Sequence, residues 1–483
     1  MRLSQKQLPF WFITIAILIG LPGYTLIQDG MFMDAMLYTS VAHNEAQGIG
    51  SFWFPKFSKL DLNIPGINSF HEQPPLVFGI QAVFFKIFGH SMYVERFYVF
   101  LTTCITAFLI HLLWRSVFKS REDLKKLSWL PIFLWITIPS IFWGASNNVN
   151  ENTMGIFTLA SVLYAFIALQ RERGLGLWLW LFSGIFIFLA TMSKGFPGFF
   201  PLCVPLLYWL ITRKVSFKKA LICTVILLLV PLLIYAVLFQ FEPSKESLSI
   251  YLFKRAFQRI AEAPTTSNRF QSLESLFNDL LPAIGLLLIS FLIARWKKVK
   301  YHAIVDKKSV LVFMLLGLAG SAPIMLTMVQ KAFYLIPCYP FFAIGFALLV
   351  APFIVRIQAR QNPESNGFKI FRGISILLLA GSIVVVAMMK GKSGRDQDIL
   401  HDTRIVSKII PHYSTVTITS TAFYIDWELQ CYLMRYYNIS GDFKQRYEYM
   451  ILAKSEKPEI DMSMYRKMEL NLERYDLYKL KAK

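Results

Sequence analysis

The sequence predicts an all-α polytopic membrane bundle of about 11 transmembrane helices, with juxtamembrane helices in its first outer loop, followed by a small C-terminal α/β domain. Three observations carry that prediction. Of 483 residues, 55% are apolar, 16% aromatic and only 17% charged, where a water-soluble domain averages roughly 45–50% apolar and about 25% charged. Apolar segments of near-spanning length run approximately over 9–27, 93–114, 129–146, 153–169, 175–192, 198–211, 220–240, 276–294, 309–329, 334–354 and 373–389; a spanning helix needs roughly 20 residues. Charge, finally, is distributed by connection rather than by patch.

Alternate connections (1–8, 115–128, 170–174, 212–219, 295–308 and 355–372) hold 23 Lys and Arg against 5 Asp and Glu, while the rest of residues 1–390 holds 12 of each. Nearly all of the net charge of +20 therefore lies on one set of loops. That is the positive-inside pattern of a multi-pass inner or plasma membrane protein, and it excludes a nucleic-acid patch as the source of the basicity. Arg2 and Lys6 precede the first segment, which places the N-terminus in the cytoplasm; eleven spans place the C-terminal region outside. A cleaved signal peptide is disfavoured, because no small-x-small site follows the first segment and ten further spans do. The apolar run 76–89 is too short to cross at about 1.5 Å per residue, and a crossing there would put the basic 115–126 connection outside. It is expected to lie as a helix along the outer membrane surface.

Residues 1–390 are thus expected to form the transmembrane domain and 391–483 an extracytoplasmic α/β domain. Within the former, 28–92 is the first outer, catalytic loop and 241–275 the second large outer loop, which carries Lys254, Arg255, Arg259 and Arg269. Short outer turns fall at Asn147–Asn152, Ser193–Pro197 and Gln330–Phe333. In the tail, Thr415–Ser420, Tyr447–Lys454 and Tyr475–Leu480 are strand-like and Ala422–Tyr436 is expected to be a helix. Of the five cysteines, Cys104, Cys203, Cys223 and Cys338 sit in apolar runs, only Cys431 lies in the tail, and none forms a C-x-x-C pair; neither a disulfide framework nor a zinc site is expected. The spans carry almost no charge in their middles, whereas intramembrane charges mark ion and proton pathways. This weighs against the alternative of a polytopic transporter or lipid flippase. A scaffold presenting the tail would leave the outer acidic and basic residues unexplained.

Those residues are few. Asp34 and Tyr38 are four apart, on one face of a helix if one forms, and a carboxylate just outside the membrane is a candidate general base; taken singly, Asp34 reads more readily as a helix N-cap or a solvated loop acid. In Phe70-His71-Glu72-Gln73-Pro74-Pro75-Leu76 the prolines suit a first helical turn and set His71 and Glu72 at its mouth. Lys194, Arg259 and Lys331 face outward against a neutral background, as cations around an anion would. Each alone is also a snorkelling anchor.

In order, Asp34-x-x-x-Tyr38, Glu72-x-Pro74-Pro75-Leu76, Phe88-Gly89 with Arg96 seven residues on, Lys194-Gly195, and Lys331 with Tyr334-Leu335-x-Pro337 resemble the integral-membrane glycosyltransferases of the C-type superfamily, in the branch of the lipid A aminoarabinose transferases and protein O-mannosyltransferases. The resemblance covers about residues 9–354. It implies transfer of a sugar from a polyprenyl-phosphate donor to an acceptor hydroxyl of a lipid, glycan or protein on the outer face of the cell envelope. It also implies Asp34 as the catalytic aspartate, Glu72 as its partner element, and Arg259 and Lys331 in the donor-phosphate site with Lys194. Tyr38, His71, Arg96 and Tyr334 are secondary candidates for substrate contact. Two positions depart from the family: Ala35 stands where an acid usually follows the aspartate, and Gln73 where a basic residue often follows the glutamate. Asp29 is the second candidate for the base. A monophosphate leaving group needs positive charge rather than an acid, so the chemistry requires neither cofactor nor metal. Within enzymes, a ligase using polyprenyl diphosphate-linked glycans is the alternative, with His71 as its residue.

Overall fold

The computed structural model describes residues 5–59, 69–118, 121–171, 174–257, 265–296, 298 and 306–481. The chain is a helical membrane bundle with a small C-terminal α/β part. In order the helices are α1 (Leu8–Leu26), α2 (Met33–Ala46), α3 (Leu76–Phe88), α4 (Tyr93–Val117), α5 (Glu122–Lys125), α6 (Trp129–Ile136), α7 (Pro139–Gly144), α8 (Asn150–Leu169), α9 (Leu177–Lys194), α10 (Val204–Thr212), α11 (Phe217–Leu238), α12 (Glu242–Ser249), α13 (Gln271–Trp296), α14 (Lys307–Ser321), α15 (Tyr339–Ala359), α16 (Asn366–Met389), α17 (Gln397–Val406), α18 (Ser420–Tyr424) and α19 (Trp427–Tyr437). The strands are β1 (Thr415–Thr417), β2 (Ser440–Asp442), β3 (Tyr449–Ala453), β4 (Tyr465–Lys467) and β5 (Tyr475–Leu480).

Among the described residues, nine helices are long and apolar enough to cross a membrane. They fall on nine of the eleven expected segments. The other two are broken, and proline is the reason in both. Segment 129–146 divides into α6 and α7, with Pro139 opening the second piece. Segment 198–211 begins as a 3-10 stretch, Phe196–Cys203, and becomes α-helical only at Val204. Pro197, Pro201 and Pro205 each remove an N–H that an α-helix would use.

The chain divides into two compact units. The first comprises Met1–Tyr24, Val99–Ser146 and Asn150–Met388. Within it α8 packs on α9, α9 on α11, and α14 on α15. α15 is largely buried, while α16 is exposed almost throughout, with Ile370, Leu377, Val384 and Met388 on its surface. A helix apolar all round is suited to lipid on its free face.

The second unit comprises Thr25–Tyr98, Asn147–Val149 and Met389–Lys483, so the first large loop and the tail fold together. Its sheet has the order β2-β1-β3-β5-β4. β1 pairs in parallel with β2 and β3, and β5 pairs antiparallel with β3 and β4. β3 is central and buried along its whole length. Asp402 of α17 accepts the backbone N–H groups of Glu473, Arg474 and Tyr475 at 2.7–2.9 Å, which fixes the start of β5. The single helix expected over Ala422–Tyr436 is interrupted between α18 and α19, where Asp426 accepts the Tyr475 hydroxyl at 2.5 Å.

α3 forms where the apolar run 76–89 was expected to lie as a short helix, and Gly89, at φ +84°, ends it. One side buries Val77, Phe78, Ala82 and Phe85, and the other exposes Val83, Ile87 and Phe88. Thirteen residues reach about 20 Å, short of a bilayer core. Apolar on both faces, α3 has one side suited to protein and the other to lipid.

Candidate active site

Two groups of polar side chains are built, one in each unit. In the second unit α2 carries Asp34 in its first turn, where the N-terminal helix dipole favours a carboxylate. Asp34 is half-buried. α19 packs along α2, and the charge of Asp34 adds to burial in holding the Cys431 thiol well above its ordinary range. One turn on, Tyr38 is buried between the rings of Phe70 and Phe78, at 6.3 and 5.9 Å. Its hydroxyl lies 3.5 Å from Gln73 Nε2. The i, i+4 relation of Asp34 and Tyr38 therefore exists as a helix face.

Glu72 is half-buried and His71 buried on the segment leading to Pro74-Pro75. His71 Nε2 is 2.7 Å from the Ser69 hydroxyl, and burial lowers its pKa to about 4. At neutral pH His71 is uncharged, able to exchange hydrogen bonds but not to offset an anion. Behind this face Asn148 Nδ2 donates to Thr39 Oγ1 (2.7 Å) and Gln81 Oε1 (2.6 Å), a buried amide network joining α2 to α3.

Two candidates are drawn into structural work. Arg96 is buried and gives its guanidinium to the carbonyls of Gln28 (2.7 Å) and Met92 (2.8 Å). Asp29 carries Arg404 at 3.0 Å.

In the first unit Lys194 is the last residue of α9. It does not project as a surface anchor: it is buried, 2.8 Å from Glu151 Oε1 of α8. Its ammonium lies 5.1 Å from the Tyr334 ring centre and 6.0 Å from that of Phe333, within cation–π range. Gly195 follows at φ +79°, and a Cβ there would clash with the Tyr251 hydroxyl; only glycine allows that closing turn. The structure thus brings Lys194 and Tyr334 together. Lys331 is exposed just ahead of the 3-10 stretch Ala332–Cys338. Arg259 lies outside the described residues.

Sequence reasoning did not single out Glu151 and Asn148, although the polar run Asn147–Asn152 between apolar segments marks their place. Among the described residues no group of three or more His, Cys, Asp or Glu side chains is gathered as a metal site would require.

Residues 72–239 match the family model described as dolichyl-phosphate-mannose-protein mannosyltransferase. No curated protein matches the sequence. Among solved structures the chain is similar to ArnT from Cupriavidus metallidurans bound to undecaprenyl phosphate, at 12% identity and TM-score 0.63, covering 97% of each chain. The apo state of the same protein gives 13% identity and TM-score 0.64, covering 96% of each. The oligosaccharyltransferase of Archaeoglobus fulgidus in its apo form is similar at 12% identity and TM-score 0.52, over 90% of this chain and 65% of that one. At these identities the likeness is one of fold. The chain thus shares the fold of these proteins and, over residues 72–239, matches the family model described as dolichyl-phosphate-mannose-protein mannosyltransferase.

Proposed function

We propose that the protein is a membrane glycosyltransferase that moves a sugar from a polyprenyl-phosphate donor to an acceptor hydroxyl on the extracytoplasmic face of the membrane. The observation that carries this reading is Asp34 in the first turn of α2, within a fold that in ArnT of Cupriavidus metallidurans holds undecaprenyl phosphate. Asp34 takes the proton of the attacking hydroxyl. Direct displacement at the anomeric carbon then inverts it and releases the polyprenyl phosphate, whose developing charge is met by Lys194, Lys331 and Arg259. Glu72 and Tyr38 hold sugar or acceptor hydroxyls. Asp29 serves less well as the base because Arg404 already occupies it.

The test uses purified full-length protein with a panel of polyprenyl-phosphate sugars, scored for release of free polyprenyl phosphate. Wild-type protein is expected to turn over at least one donor, and Asp34→Asn to lose about 10²–10⁴-fold in rate while still inserting and folding. Wild-type turnover by that variant would remove Asp34 from the role.

A further inference from the structure

The two backbone N–H groups immediately ahead of α2 are each held by a side chain from far along the sequence. Met31 N–H donates to the Tyr432 hydroxyl at 3.3 Å, and Phe32 N–H donates to Asn147 Oδ1 at 2.9 Å. Phe32 is the N-cap of α2, at φ −52° and ψ 141°, with no side-chain cap of its own. These two bonds, rather than a side-chain cap at Phe32, hold the start of the helix that carries Asp34 two residues later.

Tyr432 is itself a fixed post. It is buried, its hydroxyl donates to Asp396 Oδ2 at 2.7 Å, and the Met31 carbonyl lies 3.2 Å away. One turn further along α19, Arg435 is 2.7 Å from Glu95 Oε2 and donates to the carbonyls of His90 and Ser91 at 3.1–3.3 Å. Both Arg435 and Glu95 are buried, so α19 is anchored at the segment His90–Glu95 as well as at Met31.

We infer that Tyr432 and Asn147 are positioning residues for Asp34, and that the tail serves the reaction by aiming the base. This rests on the reading of Asp34 as the base. Misplacing a reacting group by about 1 Å costs on the order of 10²-fold in rate, while removing one hydroxyl from a packed ring leaves the ring in place.

The experiment is steady-state kinetics of the full-length protein with whichever polyprenyl-phosphate sugar the wild type turns over, on Tyr432→Phe and Asn147→Ala, alongside Asp34→Asn. Hydrogen exchange of the peptide spanning residues 29–37 is followed in parallel. Expected for both positioning variants are a kcat lowered about ten-fold or more, a donor KM unchanged, a thermal midpoint within about 2 °C of wild type, and faster exchange across 29–37. Wild-type kcat in Tyr432→Phe would overturn the inference, as would a loss of kcat that comes only with a collapsed midpoint or a parallel rise in donor KM. If Asp34→Asn is inactive and Tyr432→Phe is not, the inference alone falls; if Asp34→Asn is active, the underlying reading falls with it.

Discussion

Lys194 and Glu151 form an ion pair with both side chains under a tenth exposed. Burying two charges is costly, and removing one partner leaves the other uncompensated, a loss of about 3–5 kcal/mol. Such a pair gives little net stability over apolar residues of similar size, so stability alone does not account for it. A lysine at a helix end, braced by a carboxylate and flanked by the Tyr334 and Phe333 rings, is a cation held at a fixed place. Glu151→Ala is expected to lower stability by about 3–5 kcal/mol, measured by thermal unfolding in detergent. The double variant Lys194→Met with Glu151→Leu is expected to return most of that stability and still fail to release polyprenyl phosphate. A double variant both stable and active would take Lys194 out of the donor-phosphate role.

α2 shows how an element's ends decide its chemistry. Its N-terminus favours Asp34, while its last turn disfavours Glu45, since a carboxylate there faces the negative end of the helix dipole. Burial raises the Glu45 pKa to about 7, only partly opposed by Lys86, and Glu45 Oε2 is buried without a hydrogen-bond partner. Between pH 4.5 and 7 the folded chain keeps a proton that the unfolded chain has released, so this group makes stability fall as pH rises through that window. Glu45→Gln is expected to be more stable than wild type at pH 8 by about 1 kcal/mol, a figure reduced for solvent screening. The two proteins should converge below pH 4.5 in thermal unfolding run across pH. A less stable variant at pH 8 would mean that Lys86 dominates.

Nine spans and α3 were legible because a long apolar run between charged loops has few alternatives in water or lipid. The breaks at Pro139 and through Pro197–Pro205 were written as prolines but hidden from a reading of hydropathy. Three-residue strands such as Ser440–Asp442 and Tyr465–Lys467 offer no alternation to follow. At the site, Asp34 stands out as an acid beside an apolar segment. Tyr432, Asn147 and Glu151 do not, because their roles come from contacts made across more than 40 and up to 401 residues of chain.

At the scale of the molecule, the positions of the basic loops predict that both broken segments cross. The 115–128 and 170–174 connections are both basic, and share a side only if α6–α7 crosses before α8 returns. Likewise 170–174 and 212–219 share a side only if the stretch Phe196–Thr212 crosses after α9. Geometry allows the second: eight residues of 3-10 backbone followed by nine of α-helix extend about 30 Å, because a 3-10 turn rises about 2.0 Å per residue against 1.5 Å. This matches a hydrocarbon core of about 30 Å. The α6–α7 pair is shorter, but seven of the eight residues of α6 are buried, and interrupted helix is tolerated at membrane depth where protein rather than lipid surrounds it. With both crossings in place the positive-inside rule predicts the basic loops in the cytoplasm and the tail outside. Exposed positions Lys126, Arg171, Lys218 and Lys457 report on this directly. In intact cells a membrane-impermeant maleimide is expected to label Lys457→Cys alone, and to reach Lys126→Cys, Arg171→Cys and Lys218→Cys only after permeabilisation. Labelling of Arg171→Cys and Lys126→Cys from opposite sides would show that α6–α7 does not cross. Opposite labelling of Arg171→Cys and Lys218→Cys would show the same for Phe196–Thr212. Labelling of Lys457→Cys only from the cytoplasm would reverse the orientation and remove Asp34 from the extracytoplasmic face.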